Sequence, residues 1–147
     1  MHIRFIVMVL AALIAAASTP ALAQTAPDHA PWQVKAREVY ARIIGFRTAA
    51  AEHQTAAMAG WLGDVLKAGG VPPEDIATLQ AGGATAMIVR IPGSTPARPI
   101  LFSAHMDVVD ARPADWQRDP FTLIEEGGDF FGRGTTDNKA GVAALVS

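Results

Sequence analysis

The chain contains no cysteine, so no disulfide can staple it. Stability has to come from a hydrophobic core or from a bound metal. The same absence excludes a lipid-anchored lipoprotein, which would need a cysteine after its leader. Long apolar runs are missing too. The longest, Phe5 to Ala17, falls short of the ~20 residues that a membrane-spanning helix requires. A basic block is also lacking: 12 Lys and Arg are interspersed with 14 Asp and Glu, for a net charge of −2. That balance leaves no electrostatic case for nucleic acid as a partner. There is no internal repeat, and the only compositional bias is toward alanine.

What is present at the start reads as an export signal. Met1-His2-Ile3-Arg4 is a short positive lead, Phe5 to Ala17 is apolar, and Ser18-Thr19-Pro20 breaks the run. Ala21-Leu22-Ala23 has the small-x-small form of a cleavage site. The pattern predicts a signal peptide over 1–23 and a periplasmic or secreted mature chain from Gln24, with no membrane attachment after cleavage. Residues 24–147 then suit one small domain.

Pro31 can open a helix, and Ala36, Val39, Tyr40, Ile43 and Ile44 repeat at the spacing of a buried helical stripe ending at Gly45. A second helix is predicted from Glu52 to Ala68, with Met58, Trp61, Leu62, Val65 and Leu66 as its apolar face and Gly69-Gly70 as its stop. Val71 to Asp75 is a connector. Ala84 to Ile91 reads as a strand, Pro92 to Pro96 as a turn, and Ile100 to Ala104 as a neighbouring strand covered on both faces. Asp110 to Asp119 reads as loop. Gly127-Gly128 between Phe121–Glu125 and Asp129–Phe131 signals a hairpin. An alanine-rich helix starts near Asn138 and has no stop signal before Ser147. The expected fold class is α/β, a mixed β-sheet flanked by helices.

The stretch Ile100 to Val109 delivers His105 and, two residues on, Asp107. On an extended backbone these share a face, so the Asp107 carboxylate can lie near the imidazole and orient it, as acids do for metal-bound histidines. Gly132-Arg133-Gly134-Thr135-Thr136-Asp137 places a further carboxylate at the mouth of the last helix. His and Asp donors suit zinc. A structural reading stands beside this one. His105 can be a hydrogen-bonded histidine after an apolar strand, and Asp137 can be an N-cap. Gly132 and Gly134 can be turn glycines. A nucleotide-binding loop is disfavoured, because Asp137 replaces the third glycine of G-x-G-x-x-G and would repel a pyrophosphate.

Three blocks carry a resemblance: SAHMDVV at 103–109, Trp116 with Asp119-Pro120-Phe121, and FGRGTTDNKAG at 131–141. In order and separation they resemble the peptidase family that includes aminoacylases, acetylornithine deacetylases, succinyl-diaminopimelate desuccinylases and glutamate carboxypeptidases. The opening from about Val34 to Ile91 fits more loosely. The resemblance implies that His105 binds one zinc ion and that Asp107 orients it as a catalytic acid. It also implies that Asp137 bridges two zinc ions, with a cis peptide bond following. Asn138 departs from the family, where many members carry a second aspartate. Trp116, Pro120 and Phe121 are expected to serve packing.

The implied chemistry is hydrolysis of an amide in a peptide or N-acyl amino acid by a zinc-bound hydroxide. Two metals would lie ~3.5–4 Å apart, with Co²⁺ or Mn²⁺ as possible substitutes. In such relatives the general base, the remaining ligands and a smaller domain mediating dimerisation come later in the chain. The expectation is therefore the amino-terminal portion of the catalytic domain, 24–147, inactive by itself, with a homodimer possible only at full length. A non-catalytic exported α/β module, or a relic of a peptidase gene, is the alternative.

Overall fold

The structure, a computed structural model, describes residues 30–95 and 98–147. The export signal expected over 1–23 lies outside the described residues. Helix α1 spans Pro31–Ile44, as the apolar stripe predicts. The Gln33 side chain closes its first turn by accepting from the Ala30 N–H at 2.8 Å. Helix α2 spans Thr55–Ala68, starting later than the expected Glu52. His53 accounts for the delay: its φ of 55° cannot belong to a right-handed helix. Among the described residues no helix is long and apolar enough to cross a membrane.

Strand β1, Ile76–Ala81, pairs antiparallel with β2, Ala84–Val89. Gly82 and Gly83 join them, both at positive φ (56° and 85°), which a two-residue hairpin turn of this hand demands. The sequence pattern predicts β2 but not β1. A second hairpin joins β3, Ile124–Glu126, to β4, Asp129–Phe131, through Gly127-Gly128 as expected. Helix α3 follows at Lys139–Val146. The fold is α/β, and among the described residues its sheet content lies in two antiparallel hairpins.

One expected element is corrected. Residues 100–104 form no strand. Ile100, Leu101 and Phe102 stand 80%, 91% and 71% exposed rather than covered on both faces. An apolar run becomes a strand only where another backbone edge meets it. Here β2 pairs with β1 alone, and no described strand pairs with 100–104.

The core lies where the three helices meet. Val39 and Ile43 of α1, Met58 and Leu62 of α2, and Val142 and Ala143 of α3 form one buried cluster, with Met87 of β2 and Met106 packed against it. Lys139, fully buried at the start of α3, crosses to the end of α1. Its ammonium donates to the carbonyls of Ile43 (2.8 Å) and Phe46 (2.6 Å), the first of which also accepts from the Phe46 N–H at 3.2 Å. Burial pulls its pKa down to about 8, so the ammonium persists at neutral pH.

Leu62 is fully buried at this junction. Leu62→Ala is expected to cost about 2–5 kcal/mol of unfolding free energy, from lost transfer energy and the cavity left behind. Urea denaturation monitored by circular dichroism checks this. A change below about 1 kcal/mol would mean that the helices do not pack around this side chain.

Candidate functional site

The loop Gly132–Asp137 and the extended segment 103–109 meet in an open cleft of about 350 Å³. His105, Asp107 and Asp137, the three residues singled out by the sequence, all line it. Gly134 permits the approach. Its φ is +91°, and a Cβ there would lie 2.9 Å from Val108 and 3.1 Å from Lys139, so only glycine fits between the 103–109 segment and α3. The peptide bond Asp137-Asn138 is cis.

Thirty-two positions separate His105 from Asp137, yet His105 Nε2 lies 2.8 Å from Asp137 Oδ1. On the other side of the ring, Nδ1–H donates to the backbone carbonyl of Asp107 at 3.0 Å. The Asp107 carboxylate is farther, 3.4 Å from Nδ1, so the carbonyl rather than the carboxylate is the nearer partner. All three side chains are solvent-accessible, at 47%, 75% and 84% for His105, Asp107 and Asp137. Asp137 makes no capping bond to α3; the N-cap position belongs to Asn138, whose side chain makes none either.

The donor set can hold a metal ion. With Nδ1 carrying its proton toward the Asp107 carbonyl, Nε2 of the neutral ring has a lone pair facing a carboxylate oxygen. An imidazole nitrogen and a carboxylate oxygen converging on one point, with the tautomer set from behind, is the arrangement that zinc sites use. Among the described residues no group of three or more His, Asp or Glu side chains surrounds a common point. Two donors are fewer than the three or four protein ligands of a zinc site.

Other residues of the three motifs serve the frame. Asp119 accepts from the Phe121 N–H (3.0 Å) and the Thr122 hydroxyl (2.7 Å), and these bonds hold its pKa below the ordinary value. Pro120 is fully buried, and the Arg47 guanidinium lies 4.3 Å over the Phe121 ring. Trp116 supports Arg133, whose guanidinium sits 5.0 Å from the ring centre. Arg133 also lines the cleft, and its Nε is buried without a partner. Sequence reasoning passes over Arg133, and its place inside a glycine-rich block was the available signal.

Residues 101–147 match the model of Peptidase family M20/M25/M40. Over 61 residues the chain is 48% identical to an acetylornithine deacetylase of Arabidopsis thaliana, covering 41% of this chain and 14% of that protein. Over 50 residues it is 58% identical to a probable succinyl-diaminopimelate desuccinylase of Staphylococcus aureus, covering 33% and 12%. A Beta-Ala-His dipeptidase of Mus musculus is 46% identical over 57 residues, covering 37% and 12%. The matched part thus spans only 12–14% of the length of these relatives.

With both ring nitrogens facing oxygens, the protonated imidazole is favoured. The Asp137 hydrogen bond, then the Asp107 carbonyl, raise the His105 pKa above 6.5. A raised pKa in the folded state contributes stability that is fully present below about 6.5 and is lost as pH climbs through the folded value. NMR titration of the metal-free chain is therefore expected to place the His105 midpoint above 6.5, and Asp137→Asn to bring it back down. A midpoint at or below 6.5 in the unaltered chain would contradict the contact.

Proposed function

Because residues 101–147 match the model of Peptidase family M20/M25/M40, we propose that this chain is part of a zinc-dependent hydrolase. Its reaction is cleavage of an amide bond in a peptide or an N-acyl amino acid, near a free carboxylate. The observation that carries the reading is the 2.8 Å approach of His105 Nε2 to Asp137 Oδ1 on the wall of an open cleft. Neither residue can reach the other through local structure, so the fold itself brings the two side chains together.

In this reading His105 and Asp137 hold zinc, and Asp107 is the catalytic acid beside them. Zinc there would lower the pKa of water and polarise the amide carbonyl. The chain's own residues supply orientation. The Asp107 carbonyl keeps the proton of His105 on Nδ1 and leaves Nε2 free to bind. The Asp107 carboxylate, 3.4 Å from Nδ1, adds negative charge that raises the ring's basicity. The open cleft admits an extended substrate alongside Trp116 and Arg133. Export to the periplasm or exterior, proposed from residues 1–23, would suit scavenging of peptides.

Two donors bind zinc far less tightly than the four of a closed site. Calorimetric titration of this chain should show no pair of tight sites, and the weak binding it does show should vanish in His105→Ala. Two tight sites would contradict the assignment. For the activity, the chain is extended to the length of its relatives and assayed on dipeptides and N-acetyl amino acids with zinc. His105→Ala is expected to lose both metal content and turnover; unchanged values for both would refute the reading.

A further inference from the structure

The cleft residues belong to 105–137, but what holds them in place is the end of α1 and the turn after it. Thr48, 1% exposed, donates its hydroxyl to the Met106 carbonyl at 2.7 Å. Met106 stands between His105 and Asp107. The Thr48 carbonyl in turn accepts from the Val108 N–H at 3.4 Å. Residues 100–108 have no strand partner among the described residues. Apart from the contacts of the His105 ring, their hydrogen bonds to other elements in the described residues all run to Thr48.

The opposite arm of the site is tied to the same short stretch. Tyr40 donates its hydroxyl to the Thr135 carbonyl at 2.8 Å, two residues before Asp137. Lys139, two residues after it, donates to the carbonyls of Ile43 and Phe46. Residues 40–48 therefore grip the His105 segment on one side and the Asp137 loop on the other. The loop is held at both flanks of Asp137. The His105 segment packs on the core through Ala104 and Met106, but its backbone hydrogen bonds to other described elements run to one residue, and the shorter of them is made by a single hydroxyl.

We propose that Thr48 is a positioning residue for the His105–Asp137 pair: by holding the Met106 carbonyl it fixes the backbone that aims the imidazole at the carboxylate. The proposal rests on the reading of that pair as metal donors. A buried hydroxyl bonded to a carbonyl also contributes to stability in any fold, so a test has to read the pair itself.

Thr48→Val keeps the shape and removes the donor, whereas Thr48→Ser keeps the donor and removes a methyl group. The first measurement is made on zinc-free chains, by nuclear Overhauser contacts between the His105 ring protons and the Asp137 β-protons. Thr48→Val is expected to lose these contacts while retaining the helical circular dichroism, and Thr48→Ser to keep them. If Thr48→Val does not fold, Thr48→Ala against Thr48→Ser poses the same comparison. Contacts preserved without the hydroxyl, or lost equally in the serine variant, would overturn the proposal.

The second measurement titrates zinc chloride against the His105 resonances. Loss of the hydroxyl is expected to weaken binding by about tenfold or more, the usual effect of removing a group that orients a ligand. Unaltered zinc affinity in Thr48→Val would also overturn the proposal. Failure of the unaltered chain to bind zinc at His105 would instead sink the metal reading, and the zinc-free contacts would still judge Thr48.

Discussion

The contact between the His105 imidazole and the Asp137 carboxylate is the constraint on which the rest depends. It joins a segment without a strand partner to a glycine-rich loop, across 32 positions of chain. Nothing in the local backbone of either piece requires the other. The three-helix core makes the meeting possible, because α1 packs against α3 and the two arms of the site are pinned to the end of α1. Core and site are therefore one structure: helix packing sets the distance across the cleft.

The electrostatics follow from that geometry. The carboxylate and the carbonyl at the two ring nitrogens raise the pKa of the exposed His105. A metal ion at the same point would displace the proton and take over its partners. Proton and metal would thus compete for one position, as expected wherever ligands must be deprotonated to bind. Lys139 shows the opposite balance: its charge is buried, and burial lowers its pKa to about 8. Its two carbonyl partners keep it useful as a cap at neutral pH. The imidazole meets its carboxylate in water, whereas the ammonium is held by carbonyl dipoles in the core.

How much could be read from the residues alone varies by element. Helices α1 and α2 were legible because Val39, Ile43, Met58 and Leu62 repeat at helical spacing and all are buried. The hairpin at Gly127-Gly128 announced itself through its turn. Strand β1 did not, since five of its six residues are exposed and give no alternation; Gly82-Gly83 was the overlooked sign. Residues 100–104 misled, because an apolar run declares a need for burial without naming the edge that supplies it. The His105–Asp137 pair could be anticipated only from the resemblance of three motifs, since no periodicity links residues so far apart. Thr48 was invisible: a threonine in a connector has no signature, and its role exists only in the contact with Met106.

The most direct test of the central claim is anomalous diffraction at the zinc edge from crystals equilibrated with excess zinc. The account predicts a peak within bonding reach of both His105 Nε2 and Asp137 Oδ1, with the Asp107 carbonyl still accepting from Nδ1. A peak bound by neither side chain, or no peak while the two remain in contact, would contradict it.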